Sequence, residues 1–307
     1  MQAERRVTVV VLTHNRPEEL ARTLERLTGL PERPRIVVVD NGSSADTAAR
    51  VCSAFPDAEL VRSHANVGAA GRNLGVARVT TPYVAFCDDD TWWEPGALTR
   101  AADLLDAHPR VALLSARVLV GAEQRLDPAC ERMARSPLDG HGLPGPALIA
   151  FMAGAAVMRV EAFRAVGGYE PRFFLGTEEA LMALDLAALG WRMAYAHDVV
   201  THHEPSPARD PRGRRILDAR NRLWLGVLRL PLPTAWREAR QVLRAAREVG
   251  LLGPVLRGAL AGLPWAIGQR RVVPPEVHAM YASVFHPAHA PAARTRGAQA
   301  PSPQERA

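Results

Sequence analysis

The fold of this chain is decided by the stretch Tyr83-Val84-Ala85-Phe86-Cys87-Asp88-Asp89-Asp90. An apolar run of this length is typical of a strand buried on both faces of a sheet. Three carboxylates follow it directly, and such close like charges repel unless a cation or a proton offsets them. We therefore expect a buried strand that ends at a cation site. The alternative is a solvated loop in which Asp90 caps the next helix.

The same pattern recurs upstream of this stretch. Apolar runs predict strands at residues 7–12, 36–39, 59–62 and 83–87, and helical periodicity predicts helices at 17–30, 46–55 and 66–79. This alternation predicts an α/β fold with a parallel sheet and right-handed crossovers. Ligands bind such sheets at the carboxyl ends of the strands, where residues 13–16, 40–41 and 88–90 would lie together.

The second half of the chain is less regular. We predict strands at 111–115, 151–159, 193–196 and 199–201, and helices at 95–108, 161–166 and 178–189. The Pro-, Gly- and Arg-rich residues 127–146 are interpreted as a mobile loop. Three further helices are predicted at 214–229, 234–249 and 251–268, and residues 287–307 are predicted to form a disordered tail.

Positive charge is concentrated in the C-terminal part. All 38 basic residues are arginines, and residues 205–271 contain 14 of them against four acidic residues. Such a surface could bind anionic phospholipid headgroups, or it could be a solvated face packed on the rest of the protein. No known nucleic-acid-binding motif is present, so we expect no nucleic-acid partner.

Cysteine usage and hydropathy indicate the compartment. Cys52, Cys87 and Cys130 are widely spaced and odd in number, which fits reduced thiols better than disulfides or a zinc site. No apolar run approaches the roughly 20 residues of a membrane-spanning helix, and residues 7–12 are too few for a signal-peptide core. We expect a cytoplasmic protein, with peripheral attachment to the inner face of the membrane as an option.

Several segments together resemble one known family. Residues 7–17, Val-Thr-Val-Val-Val-Leu-Thr-His-Asn-Arg-Pro, resemble the opening of family 2 glycosyltransferases with the GT-A fold, and residues 36–43 resemble their second strand. Asn66-Val67-Gly68 with Arg72-Asn73 and Gly75 resembles the Asn-x-Gly…Arg-Asn-x-Gly segment that precedes the family's Asp-x-Asp strand. The order and spacing agree from residue 7 to about 204, so the chain is identified as a member of this family, of the rhamnosyltransferase-like, actinobacterial type.

The resemblance implies an architecture. We expect a GT-A fold with a mostly parallel central sheet flanked by helices, followed by a C-terminal helical extension. The catalytic domain would span residues 1–204, with a nucleotide-binding half at about 1–95 and an acceptor and catalytic half at about 96–204. The basic helical extension would span 205–286.

The resemblance also assigns a donor site. Asp40 would contact the base or ribose, although a turn-forming Asp before Asn-Gly is the alternative. Arg72 would face the diphosphate, unless it lies on a solvated helix face. The other donor-binding residues would be Thr13, Asn15, Arg16, Asn66, Gly68, Asn73, Asp88 and Asp89. Asp90, together with Asp88, would bind Mg²⁺ or Mn²⁺.

The base and a further metal ligand would come from the second half. Residues 167–175 resemble the family segment that leads into a Glu-Asp pair, here Glu178-Glu179. Glu179 stands where the family has its catalytic aspartate; Glu178 could serve instead, or both could simply favour the helix dipole. His202 or His203 would complete the metal site. His202 is preferred because it directly follows Val-Val-Thr, and a structural role is the alternative.

The resemblance implies an inverting, metal-dependent glycosyltransferase of cell-wall or polysaccharide biosynthesis. It would move a sugar from a nucleotide-diphosphate donor to a hydroxyl of a glycan, lipid-linked or small-molecule acceptor. Sugar-phosphate nucleotidyl transfer is an alternative, but residues 13–16 lack the glycine-rich phosphate loop that it usually needs. A second alternative is a degenerate relative that only binds sugars or membranes. The intact pair Asp88 and Asp90 speaks against it, whereas glutamate in place of aspartate at position 179 leaves it open.

Overall fold

The computed structural model describes residues 4–44, 46–206 and 210–286. Within these residues, one mixed sheet is flanked by helices. Its strands are β1 Val7–Thr13, β2 Arg35–Asp40, β3 Ala58–Arg62, β4 Tyr83–Asp88, β5 Thr91–Trp93, β6 Val111–Val120, β7 Arg125–Leu126, β8 Ala156–Arg159 and β9 Arg192–His203. The helices are α1 Pro17–Thr28, α2 Thr47–Cys52, α3 Gly71–Val76, α4 Ala97–Ala107, α5 Pro128–Ala134, α6 Val160–Ala165, α7 Glu178–Ala188, α8 Pro211–Arg229, α9 Leu232–Glu248, α10 Leu252–Gly268 and α11 Pro275–Phe285.

The sheet has the order β3-β2-β1-β4-β8-β6-β9-β5, and β7 pairs with β6. Strands β3, β2, β1 and β4 are parallel, as the alternating pattern predicts. Beyond β4 the sheet is mixed, because β8 is antiparallel to both of its neighbours while β6 and β9 are parallel. The first half therefore brings several carboxyl strand ends to one edge, and the second half adds β9 and β5 beside them.

Burial explains the apolar runs. Val9, Val10 and Val11 in β1 are fully buried, as are Leu20 and Leu24 on the stripe of α1 that faces the sheet. A strand with helices on both faces has no solvated side, so its sequence is continuously apolar rather than alternating. This is why the first four strands can be identified from the sequence alone.

The prediction of a mobile loop at 127–146 is wrong in its first part. Residues Pro128–Ala134 form α5, and the Asp127 carboxylate accepts a hydrogen bond from the Ala129 amide (2.7 Å) at its start. Pro128 occupies the first turn, where a missing N–H costs nothing. Composition indicated a loop because a helix of seven residues carries too few periodic positions to outweigh its Pro- and Gly-rich surroundings.

Other boundaries also differ from the predictions. The two short strands at 193–196 and 199–201 are one strand, β9, whose pairing with β6 shifts register between Ala116 and Arg117. The strand predicted at 151–159 begins only at Ala156, after a 3-10 turn. Strand β5 and helix α11 were not predicted. The tail predicted at 287–307 lies outside the described residues.

The C-terminal helices pack on the rest of the protein. Trp224, Leu225 and Leu228 of α8 belong to the same core cluster as the sheet. The Trp224 indole N–H donates to the carbonyl of Ala259 in α10 (2.9 Å). None of the helices in the described ranges is both long and apolar enough to cross a bilayer. The division at residue 204 stays a prediction, and the core itself is continuous across it.

Candidate active site

An acidic edge forms where β1, β2 and β4 end. The pairing sets Thr13 beside Asp40 and Leu12 beside Asp88, so side chains distant in sequence meet there. After Asp88 the chain turns into β5, and the Asp88 amide donates to the hydroxyl of Thr91 (2.9 Å). The three aspartates are therefore presented by a tight strand connection rather than by a free loop.

The three carboxylates have different partners. Asp88 accepts from the buried guanidinium of Arg72, and 41% of its side chain is exposed. Asp89 is only 5% exposed and accepts from the Thr13 hydroxyl (2.9 Å) and from Arg16 (3.2 Å). Asp90 also faces Arg16, at 3.6 Å. The more exposed Asp88 is thus open to a ligand, whereas Asp89 is held inward by the last residue of β1 and by Arg16 after it.

Burial acts on the pKa of the two buried carboxylates, Asp89 and Asp90, with different outcomes. It raises the pKa of Asp89 to about 7, against the opposing effects of Arg16 and Thr13. Burial alone would also raise the pKa of Asp90, but His203, the Ser206 amide and Arg16 together outweigh it and hold that pKa below the usual value. Neighbouring carboxylates in one site thus titrate at different pH.

His203, and not His202, lies beside Asp90. Strand β9 pairs with β5 so that His203 is opposite Thr91 and His202 opposite Trp92. The His203 Nε2 atom lies 3.7 Å from Asp90 Oδ1. Successive side chains of a strand point to opposite faces, so His202 turns away. The geometry does not support the preference for His202 as metal ligand.

His202 makes two contacts, one with Trp92 and one with Gln124. Its ring stacks on Trp92 with centroids 5.6 Å apart and planes 14° apart. Its Nδ1 atom is 2.6 Å from the side-chain oxygen of Gln124. Trp92 is therefore occupied by this imidazole, and His202 serves packing in this arrangement.

Asp40 and Asn15 organise the loop after β2. The buried Asp40 carboxylate accepts from the Ser43 amide (2.9 Å) and pairs with Arg62 (3.3 Å). Asn15 adopts a positive φ of 55°, and its side-chain oxygen accepts from the Ser44 amide (2.8 Å). Both residues thus shape the rim at the ends of β1 and β2, where the sequence predicted them.

Asn41 was not among the predicted site residues, and it supports the turn at 66–68. Its amide nitrogen donates to the side-chain oxygen of Asn66 (3.0 Å) and to the carbonyl of Gly68 (3.0 Å). Its oxygen accepts from the Val67 amide (3.1 Å). Its place directly after Asp40 was the one indication in the sequence of a role at this edge, and the same Asp-Asn-Gly stretch is also typical of an ordinary turn.

Arg72, Asn73 and Tyr169 connect the two halves of the site. The Arg72 guanidinium lies over the Tyr169 ring, 5.7 Å from its centroid. Asn73 bonds the Tyr169 backbone twice, donating to its carbonyl (2.8 Å) and accepting from its amide (2.9 Å). The Asn73 side chain is thus committed to holding the turn at 167–169, and Arg72 is the member of the pair that faces the carboxylates.

Glu178 and Glu179 begin α7, and their charges interact with Arg72. Glu178 is buried and its Oε2 atom has no hydrogen-bond partner, while Glu179 is half-buried. Burial raises the pKa of both carboxyls, and the positive charges of Arg72 and Arg214 oppose the rise. A carboxylate with a raised pKa and an open side is suited to accept a proton.

The described part of the chain contains no group of three or more His, Cys, Asp or Glu side chains arranged to hold a metal ion. Asp90 and His203 are nevertheless adjacent and share one face of the site. They offer two of the ligands that a divalent cation needs.

This arrangement is that of the GT-A fold: a parallel first half that ends at an acidic turn, followed by a mixed second half that contains the carboxylate helix α7. The mannosyltransferase PcManGT from Pyrobaculum calidifontis, solved with GDP-Man and Mn²⁺, superposes with a TM-score of 0.55 at 21% identity, covering 91% of this chain and 85% of that one. Staphylococcus aureus TarS 1–349 with UDP gives 0.53 at 15% identity, covering 70% of each.

The sequence comparison defines the family. The model of Glycosyl transferase family 2 matches residues 8–167, just over half of the chain, and the chain belongs to this family. A pre-mycofactocin glycosyltransferase of Mycobacterium tuberculosis is 30% identical over 213 residues, which are 66% of this chain but only 43% of that protein. An N-acetylglucosaminyl-diphospho-decaprenol L-rhamnosyltransferase of the same organism is 24% identical over 240 residues, 66% of this chain and 78% of that protein. The predicted family and fold are confirmed.

The turn at 66–68 yields a stability prediction. Gly68 has a φ of +62°, and a Cβ there would overlap the carbonyl oxygen of Phe174. We expect Gly68→Ala to lower the free energy of unfolding by roughly 1–3 kcal/mol. A Cβ disfavours the positive φ of this residue, and it prevents the close approach to the Phe174 carbonyl. Gly253→Ala is the matched control, because its Cβ would meet nothing within 4 Å. Urea denaturation of both variants measures the difference, and equal stability would contradict this account of the turn.

Proposed function

We propose that this protein is an inverting, divalent-metal-dependent glycosyltransferase that uses a nucleotide-diphosphate sugar. The observation that carries the proposal is the buried Arg72, which pairs with the carboxylate of Asp88 and whose charge interacts with those of the glutamate pair that begins α7. The acidic strand end and the proposed proton acceptor thus share one guanidinium as an electrostatic partner. The names of the relatives, a glycosyltransferase and a rhamnosyltransferase, point to the same class of reaction.

The residues present fit a divalent cation held partly by its substrate. Mg²⁺ typically takes one or two protein carboxylates and completes its shell with water and phosphate oxygens. Carboxylates suit Mn²⁺ as well, and a neutral imidazole is a common metal ligand. Asp90 and His203 would hold the ion, and Asp88, two residues before Asp90, has a side chain that is 41% exposed. The cation offsets the charge that develops on the departing diphosphate.

Glu179 is proposed as the base, since it is the more exposed of the two glutamates and its carboxyl interacts with the charges of Arg72 and Asp88. It takes the proton of the acceptor hydroxyl while that oxygen forms a bond to the anomeric carbon. The bond from this carbon to the phosphate oxygen breaks on the opposite face, and its electron pair leaves with the nucleoside diphosphate. Inversion follows from this single displacement.

A lipid-linked acceptor at an anionic membrane is part of the proposal. The rhamnosyltransferase relative carries a diphospho-decaprenol acceptor in its name. Helix α9 exposes Leu232, Trp236, Arg240 and Arg244, which recur every four residues and so lie along one side. Leu260 and Ile267 of α10 are exposed as well. Exposed apolar side chains beside arginines are the composition of a helix that lies on anionic headgroups.

The donor and metal sites are tested by ligand-induced stabilisation. UDP, GDP and dTDP are each added with and without Mn²⁺ or Mg²⁺, and we expect one nucleotide to raise the melting temperature in a metal-dependent manner, because binding to the native state stabilises it. Asp90→Asn and His203→Ala should abolish the metal-dependent part. His202→Ala is the matched control and should retain it. No shift with any nucleotide would contradict the proposed donor site.

The base is tested by the pH dependence of sugar transfer. Activity needs the ionised base, so kcat/KM should rise with pH through a midpoint above 4.5, the ordinary value for glutamate, because burial raises the pKa of the pair. Glu179→Gln should lower kcat by about 100-fold or more and remove this rise. Glu161→Gln, an exposed control on α6, should change neither. If Glu178→Gln abolished transfer and Glu179→Gln did not, Glu178 would be the base and the assignment of Glu179 would be wrong.

Membrane contact is tested by sedimentation with vesicles. Binding to phosphatidylglycerol vesicles should exceed binding to phosphatidylcholine vesicles and should weaken with added salt. The double variant Arg240→Gln/Arg244→Gln should lose about 2 kcal/mol, a roughly thirtyfold drop in affinity, at about 1 kcal/mol for each arginine. Arg22→Gln/Arg50→Gln removes the same charge from exposed positions on α1 and α2. Equal losses in both double variants would contradict a specific role of α9.

A further inference from the structure

The segment 173–177, which leads into the glutamate pair, has an unusual backbone. Phe174, Gly176 and Thr177 have φ angles of +60°, +87° and +69°. Two of these are not glycines, and such conformations persist only where the surroundings enforce them. Except for a bond from the Leu175 amide to the Phe173 carbonyl (2.7 Å), the hydrogen bonds that fix this segment come from other parts of the chain.

Asn221 of α8 supplies the hydrogen bonds that hold this segment. Its side-chain nitrogen lies within bonding distance of three carbonyl oxygens, those of Phe173 (2.8 Å), Leu175 (3.1 Å) and Gly176 (2.5 Å). The residue is completely buried. One amide group thus serves the carbonyls of Leu175 and Gly176, and it adds to the bond that the Phe173 carbonyl accepts from the Leu175 amide.

The neighbours of Asn221 orient its amide. Arg220 donates to the Asn221 side-chain oxygen from Nε (2.9 Å) and Nη2 (2.7 Å), so the nitrogen must face the segment. The same Nη2 atom reaches the carbonyl of Phe173 (2.9 Å). One turn earlier on α8, the Asp218 carboxylate accepts from the hydroxyl of Thr177 (2.9 Å). Helix α8 therefore grips the segment along its length.

The far side of the segment contacts the donor-side turn. The Phe174 carbonyl accepts from the amide of Ala69 (2.6 Å), directly after Gly68. The segment is thus held between α8 and the turn at 66–68, and Glu178 follows it without an intervening residue. The distance between the carboxylates of α7 and the donor side depends on how this segment is fixed.

We propose that Asn221 is a positioning residue of the transfer reaction: by holding segment 173–177, it sets the place of Glu178 and Glu179 relative to the donor. The proposal rests on the proposed function for its link to turnover, while the holding itself can be measured without turnover. It makes the C-terminal helices a part of the active site rather than an appendage.

The test uses Asn221→Asp in the full-length protein. The substitution keeps the shape of the side chain but replaces the donor with an oxygen that repels the three carbonyls. We expect amide hydrogen exchange of residues 173–181 to become at least tenfold faster, with residues 7–13 of β1 unchanged. Release of nucleoside diphosphate from UDP-, GDP- or dTDP-sugars is measured in parallel; kcat should fall at least tenfold while KM for the donor stays within threefold.

Thr234→Val is the control, because it removes a buried hydrogen bond to His278 in the same group of helices without touching the segment. It should leave local exchange and kcat unchanged. Unchanged exchange at 173–181 in Asn221→Asp would overturn the proposal, as would faster exchange with an unchanged kcat. If the wild-type protein released nucleotide from none of the donors, the proposed function would fail, and the exchange measurement alone would decide whether Asn221 holds the segment.

Discussion

Burying a guanidinium is the constraint around which this site is built. An arginine taken out of water is costly unless charges and hydrogen-bond acceptors surround it. Arg72 obtains them from Asp88 at the end of β4, from the face of the Tyr169 ring and from the charges of Glu178 and Glu179 on α7. These partners lie on a strand, a turn and a helix, so that one side chain links the parallel half of the sheet to α7.

The same site shows how backbone groups are satisfied by distant amides. Asn41 supports the turn at 66–68, Asn73 the turn that contains Tyr169, and Asn221 the segment before α7. In each case a side-chain amide pairs with main-chain groups that no helix or strand serves. An amide both donates and accepts, so it can fix a turn without adding charge to a site already rich in carboxylates.

The sequence predicts the first half of the fold well, but it predicts only part of the site. The β1–β4 half follows from local pattern, because strands buried on both faces read as continuous apolar runs. The identity of the histidine beside Asp90 does not, since it depends on the register between β9 and β5, and a shift of one residue exchanges the faces. The roles of Asn41 and Asn221 escape prediction for a similar reason: the groups to which their amides donate lie 25 or more residues away, and the local sequence does not identify those groups. Helix α5 was missed because its few residues carry little periodicity.

The proposed chemistry is also consistent with the charges of the site. Arg72 pairs with Asp88, Arg16 lies near both Asp89 and Asp90, and His203 lies beside Asp90. A diphosphate bound with a divalent cation brings nearly equal charges of both signs, so it can enter with little change in net charge: its oxygens suit the guanidinium groups, and the cation suits Asp90 and His203. Glu178 and Glu179 are not among the groups that would contact the diphosphate or the cation. Burial favours their neutral form, and a base that gains a proton as the acceptor is deprotonated moves toward that form.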